Sequence, residues 1–139
     1  MGRILVDVRF WNLREHLAPP QGSDALLELE CLVDTGATET VIPRSMVDTL
    51  RLPTLGTLVV RYANGKTATR DLAFGLMVEI DGRITGTRAL VEPRLRRPLI
   101  GQTVLESLDL WADCKNGRLI SNPEHPESPM MEIYGVARR

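Results

Sequence analysis

A chain of 139 residues, 43% hydrophobic and 25% charged, can bury a core without disulfides or metal, and one domain spanning 1–139 is expected. The formal net charge of -1 supplies no general electrostatic drive toward nucleic acid or anionic membrane, so neither is expected as a partner. No apolar run reaches bilayer-spanning length, and Asp7 interrupts the N-terminus too early for a signal core, so a reducing, cytoplasmic setting is expected.

The first segment, "ILVDVRFW", alternates: Ile4, Val6, Val8 and Phe10 share one face of a strand, with Asp7 and Arg9 on the other. Gly2 does not start a myristoylation signal, because Val6 stands where Ser or Thr is needed. "REHLAPPQGSD" breaks the pattern. It resumes in "ALLELECLVD", where Leu27, Leu29, Cys31 and Val33 oppose Glu28 and Glu30, and Asp34 falls at the strand's end. "ETVIP" predicts a short strand, and "RSMVDTLRL" a brief helix that Pro53 stops.

The longest strand-rich stretch, Thr57 to Glu92, carries tight-turn signals at Asn64-Gly65 and Asp81-Gly82. Leu72, Phe74, Leu76, Val78 and Ile80 should line one face of its middle strand. "RLRR", Arg94 to Arg97, is expected as a solvated loop between Pro93 and Pro98. Thr103 and Glu106 fit a capping box for a short helix with an apolar stripe of Val104, Leu105 and Leu108. Asn116-Gly117 predicts a third tight turn. A Pro-rich connector over 121–129 and an extended tail over 130–139 follow a core of about 4–120. Cys31 and Cys114 lack metal-type spacing and read as small, partly buried thiols. His16 and His125 are too few for a metal site, so no metal is expected.

Asp34 stands out because apolar residues precede it and "TGAT" follows. A carboxylate at such a depth needs donors, which the Thr35 hydroxyl and the amide of Gly36, free of a Cβ, can provide. Taken alone, Asp-Thr-Gly is an ordinary Asx turn. Its context is more specific. "LVDTGATETVIP" resembles the active-site loop of the retropepsin-like aspartic proteases: Leu32, Val33, Asp34, Thr35, Gly36, Ala37 and the strand Val41-Ile42 match in order. Leu99-Ile100-Gly101, followed at once by a helix, matches that family's second signature, and "VVRYANGKTATR" stands where its substrate-covering flap belongs. The likeness runs from about Ala25 to Leu110.

The resemblance implies a mainly β acid-protease fold, one lobe per chain, acting as an aspartic endopeptidase without cofactor. It assigns catalysis to Asp34 with Thr35 and Gly36, and contacts with a peptide or protein substrate to Ala37, Tyr62, Ala63, Asn64, Gly65, Leu99, Ile100 and Gly101. Such enzymes use two carboxylates that share a proton across a water. This chain offers one, since "VDTL", Val47 to Leu50, has Leu50 where a Gly is required. The second therefore has to come from a second copy in a two-fold homodimer. Gln102 departs from the Arg that many retroviral members carry there, the flap lacks a Gly-rich tip, and Tyr62 resembles the flap Tyr of pepsin-like enzymes or serves packing. In retroviral members the termini build a dimer sheet, a role that would fall here to "MMEIYG", Met130 to Gly135. The alternative is a catalytically silent peptide-binding or structural dimer module on the same fold.

Overall fold

A computed structural model describes residues 3–22 and 25–135; Gly2, Ser23 and Asp24 of the first loop and the tail beyond residue 135 lie outside the described residues. The elements follow the order β1 (Leu5–Asn12), β2 (Leu27–Val33), β3 (Thr40–Ile42), α1 (Arg44–Leu50), β4 (Thr54–Arg61), β5 (Thr67–Ile80) and β6 (Arg83–Val91). After these come β7 (Leu99–Ile100), α2 (Gln102–Leu108), β8 (Leu110–Asp113) and β9 (Arg118–Ser121). The fold is mainly β, as the alternation and turn residues require.

Seven strands form one sheet in the order β1-β2-β7-β3-β6-β5-β4, and β1 also pairs with β5. That extra pairing closes the sheet on itself and leaves β4 as an outlying edge. The period-2 pattern decides what goes inside. Val8, Phe10, Cys31, Leu76, Val78 and Ile80 are fully buried, joined by Met46, Val47 and Leu50 of α1 and Val104, Leu105 and Leu108 of α2. Each such large side chain contributes roughly 1.5–3 kcal/mol by leaving water.

The middle strand does not keep one face throughout. Its pairing with β6 slips between Ala73 and Leu76, where Gly75 adopts a φ of 79°. A bulge there turns Ala73 as well as Leu72 inward and leaves Phe74 half-buried, correcting the uninterrupted Leu72–Ile80 face. The freed backbone is used elsewhere: Phe74 N–H donates to Pro53 O (2.9 Å), and Gly75 O accepts from Leu13 N–H (2.9 Å).

Helix α1 ends as predicted before Pro53, with Arg51 left-handed (φ 56°) and Leu52 N–H returning to Val47 O at 3.0 Å. Buried Asn12 donates its amide to the last carbonyls, Leu50 O (2.9 Å) and Arg51 O (3.1 Å). The predicted capping box of α2 does not form. The N-cap is Gly101, with no side-chain cap; backbone carbonyls of a distant loop take that role instead.

The segment after α2 is fastened rather than loose. Arg83 donates to Leu108 O (2.8 Å), Asp109 O (3.1 Å), Ser121 Oγ (3.2 Å) and Pro126 O (3.2 Å). Asp109 pairs with His125 and accepts from Asn122 Nδ2 and Met130 N–H, both at 3.1 Å. Burial alone would raise the Asp109 carboxyl, but these bonds and the His125 charge hold it below its ordinary range. His125 is thus committed to Asp109. Residues 130–135 pair with no strand among the described residues; Met131 and Tyr134 are 78% and 86% exposed. Cys114 is exposed, not partly buried as its sequence context suggested, whereas Cys31 is fully buried and its thiol is pushed up to about 12 by that burial.

Candidate active site

Strand β7 lies between β2 and β3, parallel to the first (Leu32↔Leu99, Val33↔Ile100) and antiparallel to the second (Val41↔Leu99). Strand β2 therefore leaves the sheet at Asp34 with both flanks occupied. Val33 N–H donates to Ile4 O (2.9 Å) and Asp34 N–H to Ile100 O (2.9 Å). The backbone of Asp34 is fixed by two elements far apart in sequence.

The Asx turn is present. Gly36 N–H donates to Asp34 Oδ1 (3.1 Å) and Ala37 N–H to Asp34 O (3.2 Å). Its effect is to orient a half-buried carboxylate: Oδ1 is held, and Oδ2 has no hydrogen-bond partner among the described residues. Thr35 and Gly36 beside it are exposed. An oriented carboxylate with one free oxygen at an open loop can accept a proton from a bound water.

Beyond the turn, the loop docks on the start of α2. Gln102 N–H donates to Ala37 O (2.7 Å) and Thr103 N–H to Thr38 O (3.2 Å). Helix amides that would otherwise be orphaned hold the loop, which explains why no side-chain cap is needed. Gly101 N–H donates to the buried hydroxyl of Thr40 (3.1 Å). A Cβ on Gly101 would stand 2.4 Å from Glu39 O and 2.9 Å from Thr38 O, so only glycine fits. Glu39 is braced from β6 by Arg88 at 2.5 Å.

Asp34 to Ala37 and Leu99 to Gly101 thus come together as one unit. Within it Ile100 is fully buried and acts through its backbone, positioning Asp34. Thr40, Glu39 and Arg88 were missed by sequence reasoning. Only Thr40 left a trace, as a polar β-branched residue at an inward position of "ETVI". Arg88 lies 49 residues from Glu39, a pairing set by the β3–β6 neighbourhood alone.

The hairpin of β4 and β5 forms as expected. Tyr62 N–H donates to Lys66 O (2.8 Å), Gly65 N–H to Tyr62 O (2.9 Å), and Gly65 has a φ of 83°. Ala63, Asn64, Gly65 and Lys66 are exposed, with no hydrogen bond from the tip to the Asp34 loop among the described residues. Tyr62 is occupied at the hairpin's flank: its hydroxyl donates to Glu92 Oε2 (2.6 Å) and accepts from Arg70 Nε (3.2 Å), while Arg70 pairs with Glu92 at 3.0 Å.

A β2–β7–β3 crossing that ends in an Asx-held aspartate, with a long hairpin to one side, defines a single-lobed acid-protease domain of the retroviral type. The family model described as "gag-polyprotein putative aspartyl protease" matches residues 23–107, and the chain belongs to that family. Among solved structures, the EIAV protease complexed with the inhibitor HBY-793 is similar at 18% identity and a TM-score of 0.56, covering 76% of this chain and 86% of that one. The simian foamy virus (mac) protease is similar at 17% identity and a TM-score of 0.50, covering 73% and 90%. These two likenesses bear on the fold. A search among curated proteins finds no match.

Proposed function

We propose that the chain is an aspartic endopeptidase that works as a homodimer, hydrolysing peptide bonds with Asp34 of one copy and Asp34 of the other. The observation that carries this reading is the held carboxylate: Asp34 Oδ1 bound by Gly36 N–H, Oδ2 free, on a loop whose next two residues are open to a partner. Two such carboxylates about 3 Å apart cannot both ionise, so they share a proton. The ionised one takes a proton from the attacking water, and the protonated one hydrogen-bonds the scissile carbonyl as charge builds on its oxygen. No covalent intermediate forms. Digestion of an extended-peptide library, run at falling protein concentration, tests the reading: cleavage should vanish below the dimer dissociation constant, and an active monomer would defeat it.

Thr35 is exposed beside Asp34, which supports a role for its hydroxyl in bonding the partner's loop across the axis. Thr35→Ala removes the bond from both copies and should weaken the dimer about a hundredfold, the worth of two hydrogen bonds of ~1.4 kcal/mol each, and Thr35→Ser much less. Sedimentation of the three proteins reads this directly.

The hairpin serves as the cover. Its tip buries little, so order there does not offset the entropy lost, and closure over a bound peptide would supply the missing partners. Amide exchange at residues 62–67 should slow on adding a peptide-mimetic inhibitor. Exchange that is slow without inhibitor and unchanged by it would show that this segment is no lid. Gly65→Val should reduce turnover more than stability, since a β-branched residue resists the φ of 83°.

A further inference from the structure

Beyond its root, the hairpin of β4 and β5 is gripped by a carboxylate from another strand. β5 pairs with β6 only from Leu72↔Leu90 onward, and β4 pairs only with β5 among the described residues, so residues 57–71 project from the sheet as a two-stranded arm. Such an arm is marginal in water without further strands or a packed face. At its root the register slips between Thr54 and Thr57, where Gly56 takes a φ of 76°, and a bulge of that kind lets a strand bend. Arg44 pairs with Asp71 at the same root (2.7 Å).

Alternation and register put Leu58, Val60 and Tyr62 on one face of the arm with Ala68 and Arg70. On that face Glu92 takes hold of both strands. Its Oε2 accepts from the Tyr62 hydroxyl (2.6 Å) just past β4, and its Oε1 pairs with Arg70 Nε (3.0 Å) on β5. Arg70 Nε also donates to the Tyr62 oxygen (3.2 Å), so the three side chains close a ring of bonds. The Glu92 side chain is 19% exposed, which leaves water little chance to compete for its oxygens.

The backbone of Glu92 belongs to the frame that carries Asp34. Its N–H donates to Ile42 O (2.9 Å) at the end of β3, β3 pairs with β7 through Val41↔Leu99, and Ile100 O holds Asp34 N–H (2.9 Å). Clamp and aspartate are thus joined through the paired strands β6, β3, β7 and β2. We propose that Glu92 is a positioning residue for peptide hydrolysis: by gripping both strands it fixes the arm over the cleft, so that only the tip, residues 63–66, travels when substrate enters. Without the grip the arm swings from the bulge at Gly56, and each closure over a peptide costs entropy that the clamp has already removed. A closed arm holds bound substrate and transition state alike, so the loss falls on substrate binding and not on the chemical step.

The inference rests on the peptidase reading above, and two readouts keep them apart: amide exchange over 57–71, which needs no activity, and steady-state cleavage of an extended peptide above the dimer dissociation constant. Glu92→Ala should speed exchange at residues 58–61 and 67–70 at least about tenfold, with β1 and β6 unchanged. KM should rise about tenfold while kcat stays within about twofold of the wild type. Glu92→Gln and Arg70→Gln each leave at least one bond of the ring and should move exchange and KM the same way by about threefold; they decide by the same signs where Glu92→Ala does not fold. A merely structural Glu92 leaves fewer active molecules, which lowers apparent kcat and spares KM. An unchanged KM overturns the proposal whatever kcat does, and so does unchanged exchange over 57–71, even where cleavage upholds the peptidase. If the wild type never cleaves, the Kd of the same peptide replaces KM: binding about tenfold weaker in Glu92→Ala upholds the clamp while the peptidase reading falls, and equal binding overturns both.

Discussion

Replacing Asp34 by Asn is expected to lower peptide cleavage at least about a thousandfold while leaving the fold and the dimer intact. Asn is nearly isosteric, and its amide oxygen can still accept the Gly36 N–H that Asp34 Oδ1 accepts at 3.1 Å. The Asp34 backbone is held independently through Ile100 O, so the loop keeps its course. What is lost is chemical. An amide neither takes a proton from water at neutral or acid pH nor shares one with its opposite number. Circular dichroism should be unchanged, and cleavage of an extended peptide should vanish. Substantial cleavage by a well-folded Asp34→Asn protein would end the aspartic mechanism. A mixed dimer with one variant copy should be as inactive as the pure variant, since the proposed dyad takes one carboxylate from each copy.

Gly101→Ala is expected to cost about 3 kcal/mol of stability and, with it, cleavage activity. The added Cβ would lie 2.4 Å from Glu39 O and 2.5 Å from Glu39 C, backbone atoms that no rotamer change can move aside. Relief requires separating the Asp34 loop from the start of α2, which breaks the bonds from Gln102 N–H to Ala37 O and from Gly101 N–H to Thr40 Oγ1. For a domain of this size the melting temperature should drop by roughly 10 °C. Gly36→Ala supplies the contrast. There a Cβ would meet only Asp34 Oδ1, at an ordinary 3.4 Å, and no left-handed φ is involved. It should melt within about 2 °C of the wild type yet lose activity, because in the proposed dimer the methyl group would intrude between the partner loop and the substrate. Equal melting temperatures for Gly101→Ala and the wild type would show that the contact between loop and helix is not what holds the site.

The local features were written plainly. Period-2 alternation placed β1 and β2, Asn64-Gly65, Asp81-Gly82 and Asn116-Gly117 each closed a hairpin, and Pro53 followed the end of α1. Such signals act between neighbours a few residues apart, where backbone sterics and hydrophobic period leave little choice. The two motifs at Leu32–Ala37 and Leu99–Gly101 were legible for the same reason. Where a second segment decides, local reading failed. The capping box at Thr103 and Glu106 was a sound local prediction, displaced because carbonyls of Ala37 and Thr38 reached the helix amides first. The single face of β5 was broken by a bulge whose freed groups bond Pro53 and Leu13.

The sequence by itself determined that this protein is a mainly β chain with one aspartate poised at a strand's end, since alternation, turn residues and motif order are all local properties. Only the tertiary structure decided that β7 threads between β2 and β3, that Ile100 O and Gly36 N–H fix Asp34, and that Arg88 braces Glu39. It also decided that, among the described residues, β8 and β9 pair with each other outside the main sheet. These are pairings between segments tens of residues apart. Their register is selected by which apolar faces can be buried together, a property of the whole sheet that no single stretch of the chain encodes.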